Sequence, residues 1–334
     1  MKKKLVLYVG GATLLLFFSI ILSLSIGSSM IPITGVWSTL FGGGDEVSRA
    51  IILQVRLPRI VLAILVGSAL AVAGAGFQGV LRNPLADPYI LGVSSGASVG
   101  AAFIILFSLQ STLFGKYSIP IVAFIAGVFT LFFVIFIAKK SGQMKKETLI
   151  LSGVIVQAFL GSIISLMVSM SGTVLNEIIF WMMGSLTLKG WEYSQIMAPY
   201  LLIGIVIILS QGRALNLFTL GERSALHLGV QVERTKMIVL VTSTLLTASA
   251  VSVSGVIGFV GLVVPHLIRL IVGPDYRLIL PLSIFGGSIY VLWADTIARM
   301  ALMPKEIPLG VVTSLLGAPF FAYLLKKGSK GVHL

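Results

Sequence analysis

Charged residues in this chain are confined to short stretches between long apolar ones. Runs free of Lys, Arg, Asp and Glu occupy residues 5–44, 60–81, 88–115, 117–138, 148–176, 193–212, 237–268, 278–294 and 307–325. A helix rises about 1.5 Å per residue, so roughly 20 apolar residues cross about 30 Å of hydrocarbon. Each run therefore predicts a spanning helix. The uncharged run 178–188 is too short to cross and predicts a helix lying at the membrane surface.

Two of these runs need a decision. The first follows Lys2, Lys3 and Lys4 like a secretory signal, but its apolar stretch from Leu5 to Ile26 is too long and no small-residue cleavage site follows, so it is expected to remain as a span. The run 237–268 carries Ser252-Val253-Ser254-Gly255 at its middle, which reads either as a kink or as a turn between two short helices. Positive charge separates the two readings. As one span, the run gives nine crossings with 14 Lys/Arg inside and 10 outside; as two, it gives ten crossings with 17 inside and 7 outside. The positive-inside bias favours ten spans with both termini in the cytoplasm, each half of the divided run being short at about 16 residues.

Composition agrees with this pattern. At 57% hydrophobic and 10% charged over 334 residues, the chain falls far below the roughly 25% charge of soluble domains. Its mean hydropathy is +1.07. The excess of 24 Lys+Arg over 11 Asp+Glu, +13, follows from topology and calls for no nucleic acid. The expectation is an all-α membrane protein, residues 1–334 forming one transmembrane domain, because the longest polar connections (27–59, 172–192 and 211–236) are too short for a soluble domain. The absence of cysteine excludes thiolate metal sites and cysteine nucleophiles.

Candidate chemistry is sparse. Gly92, Gly96 and Gly100 recur every four residues and Gly67, Gly74, Gly76 and Gly79 crowd the preceding span, a pattern that lets membrane helices approach closely. Gly92-Val93-Ser94-Ser95-Gly96 matches the serine-hydrolase elbow G-x-S-x-G, but it opens a helix after a capping Asp87-Pro88 and not a strand-to-helix turn. An intramembrane protease pairing Ser94 with His266 is accordingly disfavoured. His266 ends a Gly-rich stretch with Pro265 that predicts a broken helix, and His227 and His333 lie in polar segments, so no haem-ligand pair forms. No metal site is expected. No G-x-x-x-x-G-K-[ST] occurs, so any ATP-driven role belongs to another subunit.

Two groups stand out. Arg56 and Arg59 flank Leu57-Pro58 and Arg299 follows Asp295, all on the face that the charge bias should deplete of arginine. They read either as snorkelling side chains or as a docking surface for carboxylates of an external partner. On the other face, Leu215, Leu220, Leu226 and Leu228, interrupted by Gly221 and Gly229, predict two short helices whose apolar faces need cover. This reads as an amphipathic connector or as a socket for a cytoplasmic partner.

Taken together, Arg56-Leu57-Pro58-Arg59, Gly67-Ser68-Ala69-Leu70-Ala71, Asn83-Pro84-Leu85-Ala86-Asp87-Pro88, Leu91-Gly92-Val93-Ser94-Ser95-Gly96, Leu220-Gly221-Glu222, Gly258-Phe259-Val260-Gly261, Val264-Pro265-His266 and Glu306-Ile307-Pro308-Leu309-Gly310 resemble the permease subunits of the vitamin B12 and iron-chelate ABC importers. The resemblance runs from about Arg49 to Lys327. It implies ten spans, a homo- or heteromeric permease pair in the bacterial cell membrane, two ATPase subunits that use ATP and Mg, and an extracytoplasmic substrate-binding protein, with no cofactor held by this chain. It further implies that Arg56, Arg59 and Arg299 meet glutamates of that binding protein. Residues 213–234, with Leu220, Gly221, Glu222, Ala225, Leu226, Leu228 and Gly229, would seat in the ATPase as the coupling element. Ser152, Gly153 and Gln157, with Glu306 and Thr313, would line the passage between protomers. The rival class, an ion-coupled transporter, usually needs membrane-embedded acids, whereas the acids here fall at segment ends. Ferric siderophore is the expected cargo, with haem and corrinoid as alternatives.

Overall fold

The computed structural model describes residues 2–110, 114–139 and 144–328; Lys140, Lys330 and His333 lie outside the described residues. The helices are α1 (Lys2–Ser25), α2 (Ile33–Leu40), α3 (Glu46–Ala50), α4 (Leu57–Leu81), α5 (Val93–Leu106), α6 (Ser118–Ala138), α7 (Lys146–Met170) and α8 (Leu175–Met182). They continue with α9 (Trp191–Ser210), α10 (Gly212–Phe218), α11 (Glu222–His227), α12 (Val232–Ser254), α13 (Val260–Val272), α14 (Tyr276–Met300) and α15 (Leu309–Gly328). Seven helical stretches among the described residues are long and apolar enough to cross a membrane, and Val93–Leu106, Val260–Val272 and Leu309–Tyr323 are shorter apolar helices.

Helix α4 is the central post. A π-helical stretch, Ile51–Arg56, joins it to α3, so the chain is helical from Glu46 to Leu81. The helix therefore starts well before the charge-free run and carries Arg56 and Arg59 into the bundle. Nearly all of α4 is buried, packed on α9, α12, α13 and α14. Small residues make this possible. A Cβ on Gly67 would lie 2.1 Å from the Gly287 carbonyl oxygen of α14, and one on Gly74 would lie 1.9 Å from that of Gly261 in α13. Gly96 and Gly100 of α5 meet α6 in the same way, at Thr130 and Val122. The four-residue glycine spacing thus marks backbone-to-backbone crossings.

The divided run breaks where the serines and glycine predict, although the halves are unequal. Helix α12 extends back through Glu233 and Lys236 to reach 23 residues, while α13 has only 13, about 20 Å at ~1.5 Å per residue. Between them Gly255 (φ +72°) approaches the Trp181 carbonyl so closely that a Cβ would sit 2.2 Å from it. The freed backbone groups find partners. Ser185 N–H donates to the Ser254 carbonyl at 2.7 Å, and Tyr89 O–H donates to that of Ile257 at 3.0 Å. Pro265 has no N–H for the Gly261 carbonyl, and Gln78 Nε2 donates there at 3.3 Å and to Leu262 at 3.2 Å.

Helix α8 differs from the expected surface helix. It starts earlier, at Leu175, and the chain just after its C-terminal end is bonded to the start of α15: Leu309 N–H donates to the Gly184 carbonyl at 2.9 Å and Gly310 N–H to that of Met183 at 3.0 Å. The break adds one acceptor, the Ser254 carbonyl that takes the Ser185 N–H.

Gly67→Ala should lower detergent-solubilised stability by about 1–3 kcal/mol, because the added methyl must part α4 from α14. Gly10→Ala, where nothing lies within 4 Å, is the control. Equal melting temperatures for the two variants would contradict the close crossing.

Candidate functional site

The start of α4 and the ends of α14 and the α8–α9 connection converge on a charged cluster. Arg59 Nε lies 3.0 Å from both carboxylate oxygens of Asp295, and its Nη2 lies 2.9 Å from Oδ1. Nη1 and Nη2 reach the two oxygens of Glu306, each at 3.0 Å. Glu306 also accepts from Thr187 Oγ1 at 2.6 Å. Arg299 approaches Asp295 at 3.3 Å and donates to Ser23 Oγ at 2.9 Å. Arg56 has no carboxylate; its guanidinium donates to the carbonyls of Leu24 and Ser29 and to Ser29 Oγ.

The three arginines expected to meet glutamates of a binding protein are buried within this chain. Arg56, Arg59 and Arg299 retain 4%, 8% and 9% of their surface, and Asp295 none. A guanidinium drawn into the bundle by helix packing must be paired, and Asp295, four residues before Arg299 on the same helix face, serves two of the three. That i,i+4 spacing was the available sequence signal. Thr187, Ser23 and the Leu24 carbonyl carried none, being brought in from distant segments.

The passage residues also sit differently. Ser152 and Gly153 of α7 are buried, and a Gly153 Cβ would lie 2.1 Å from the Ile90 carbonyl. Gln157 Nε2 donates to the Tyr89 and Ile90 carbonyls at 3.0 and 2.9 Å, satisfying the tight turn Pro88–Leu91 that Asp87 caps. Thr313 is fully buried and donates to the Gly310 carbonyl at 3.1 Å. Gln157 and Thr313 are thus engaged within the chain's own fold. What α7 leaves exposed past its first turn is mostly apolar, Leu151, Val154, Ile155, Phe159 and Leu166, interspersed with Ser162, Ser165 and Ser169. Glu306, with 35% of its side chain exposed, is the one predicted passage residue that faces open space. Nearby, where α8, the 255–259 break and α15 meet, a cavity of about 460 Å³ is lined by Met182, Met183, Gly258, Ser314 and Leu315, among others.

At the far end of α4 the two short helices form as the leucine pattern predicts. Leu215, Phe218 and Ala225 are buried, whereas Leu220, Leu226 and Leu228 are 62%, 60% and 58% exposed. Gly221 (φ +108°) and Gly229 (φ +85°) provide the left-handed turns that isolate α11. Glu222 is internally engaged: it accepts from Lys236 Nζ at 2.7 Å, a lysine with 7% of its side chain exposed. Lys236 also reaches Glu233, so α11 is pinned to α12. Ala225 and Glu222 anchor the segment, and the leucines are what it presents.

Ser94 occupies the first turn of α5, and no strand precedes it. His266 packs its ring against Phe321, and its Nδ1 has no hydrogen-bond partner, so the protease arrangement is absent here.

A buried charged knot at one end and an apolar platform at the other suit a conduit that is gripped at both ends. A model described as the FecCD transport family matches residues 15–327. The chain belongs to that family. It is 46% identical over 322 residues to the ABC transporter permease protein YvrB of Bacillus subtilis, covering 94% of this chain and 91% of that one. It is 44% identical over 284 residues to the cobalamin import system permease protein BtuC of Halobacterium salinarum, covering 85% and 75%. A solved inward-facing structure described as a metal-chelate type ABC transporter superposes with a TM-score of 0.85 at 36% identity, over 96% of this chain and 98% of that one. This FecCD permease is thus a multi-pass ABC importer component.

Asp295→Asn should destabilise the FecCD permease by roughly 3–5 kcal/mol, since it leaves buried guanidinium charge uncompensated. Glu306→Gln should cost clearly less, being part-exposed. Thermal unfolding in detergent checks the order; Glu306→Gln as the worse of the two would refute the assignment of Asp295 as the hub.

Proposed function

We propose that this chain is one half of the conducting unit of an importer in a bacterial cell membrane, with ten spans, cytoplasmic termini and a second permease copy or sister chain beside it. Two separate ATPase subunits, using ATP and Mg, sit against α10–α11, and an extracytoplasmic binding protein delivers cargo at the Arg59 end. The observation that carries this reading is the exposed Leu220–Leu226–Leu228 surface on a short helix locked to the bundle by Lys236 and Ala225. Three large apolar side chains in one short segment need a partner. Because the segment is pinned to α12 and its base packs beside α4 and α14, force on the leucines reaches the spanning helices directly.

Docking at the other end would work by exchange. Arg59 and Arg299 already have carboxylates, so an external glutamate must compete with part-exposed Glu306, and Arg56 is the cation without an acid of its own. Opening the passage and receiving the binding protein would then be one event, since Glu306 ties α4 to the start of α15 through Arg59.

The cargo is proposed to be a bulky metal chelate moved by alternating access. Apolar walls such as the exposed α7 face hold polar chelates weakly, which suits release of cargo received from a dedicated binder. Ferric siderophore is the first reading. A corrinoid is the second, favoured by the 44% identity to a cobalamin permease.

In proteoliposomes containing the permease pair, ATPase and binding protein, Leu226→Glu should reduce ATP-driven uptake at least tenfold while leaving the melting temperature of the permease alone unchanged. Undiminished uptake would remove α11 from coupling. Uptake of labelled ferric siderophore but not cyanocobalamin supports the first cargo; the reverse supports the second. Uptake of either without the ATPase would overturn the importer reading.

A further inference from the structure

The Arg82 end of α4 holds a second charged feature to which the proposed coupling and docking roles assign no residue. A cavity of about 230 Å³ lies where α4 ends, α10 turns toward α11, and α13 turns into α14; its lining includes Arg82, Arg269, Thr219, Tyr276 and Gln78. Two guanidiniums face this space and no carboxylate lines it. Arg82, exposed in the left-handed cap of α4, has no side-chain partner among the described residues. Arg269 donates to Tyr276 Oη at 2.7 Å and approaches Gln78 Oε1 at 3.4 Å, and its Nε is buried with no acceptor. Two arginines without a carboxylate around one small cavity leave local positive charge that an anion with oxygen acceptors would match. Asp275, which adjoins the lining residues Pro274 and Tyr276, is already taken: Asn216 and Arg277 donate to it at 2.6 and 2.8 Å. Its carboxyl is held down to about 2, chiefly by Arg277.

The surroundings indicate what kind of anion. Immediately after Arg269, Leu270 and Ile271 are 61% and 69% exposed, and Leu85 beside the cavity is 40% exposed. These apolar surfaces adjoin a basic pocket at the end of apolar helices, a combination that matches an acidic headgroup with attached acyl chains. We propose that this cavity binds a phosphate-bearing group, the phosphodiester of an acidic phospholipid, through Arg82 and Arg269 with the Thr219 and Tyr276 hydroxyls alongside. Arg supplies paired donors that match phosphate oxygens, and the cavity walls come from three separate turns of the chain. A bound headgroup therefore links the end of α4 to the base of the segment that presents Leu220.

The test uses the full chain, delipidated in detergent, with dioctanoylphosphatidylglycerol as probe and native mass spectrometry to read occupancy. One tightly bound lipid is expected. Arg82→Gln and Arg269→Gln should each weaken it at least tenfold, equivalent to ~1.4 kcal/mol. Exposed Lys139→Gln should not. Because Arg82 is exposed at a helix end, its variant keeps the test valid even where Arg269→Gln fails to fold. Binding of inorganic phosphate with the same two losses, and no lipid, would keep the phosphate site and overturn the lipid source. Equal binding of dioctanoylglycerol, which lacks phosphate, or equal loss in all three variants, would overturn the site.

Discussion

A backbone carbonyl or amide left without a partner in hydrocarbon costs several kcal/mol, and the irregular parts of this bundle are organised around avoiding that. The chain breaks its helices at Pro88–Leu91 and at residues 255–259, and it places Pro265 inside α13. Each interruption is matched by a donor or acceptor from another helix. Gln157 serves the first, Gln78 the carbonyl freed by Pro265, and Tyr89 with the Ser185 N–H the second. Polar residues that look like a hydrophilic lining in one dimension are thus the fasteners of broken backbone in three.

The same economy governs charge. Helix α4 carries Arg59 near its start and Arg82 at its end, about 35 Å apart at ~1.5 Å per residue. The first is drawn inside and given two carboxylates; the second is left unpaired beside Arg269. A buried ion cluster contributes little net stability but strongly opposes any arrangement that separates its members. Glu306 is the exposed member of this cluster.

Between these ends the glycine crossings make α4, α13 and α14 nearly touch, so the central helices form one closely packed block. Helix α7 stands apart from this block, with a largely exposed apolar face. A tightly packed centre, a less encumbered flank and a short helix pinned to the base make up the arrangement.

Much of this was legible in the chain itself. Uninterrupted apolar length specifies the spanning helices, Ser252 to Gly255 locates the break, and the leucine and glycine spacing over 213–229 yields the two short helices, because each depends on local composition and backbone freedom alone. The directions in which polar side chains point were not legible. Whether Arg59 faces outward or meets Asp295 and Glu306, and whether Gln157 faces a passage or the Tyr89 carbonyl, is decided by partners 236, 247 and 68 residues away in sequence. Local pattern specifies a helix and its apolar length. Only the packed bundle determines which distant group a buried charge or amide must satisfy.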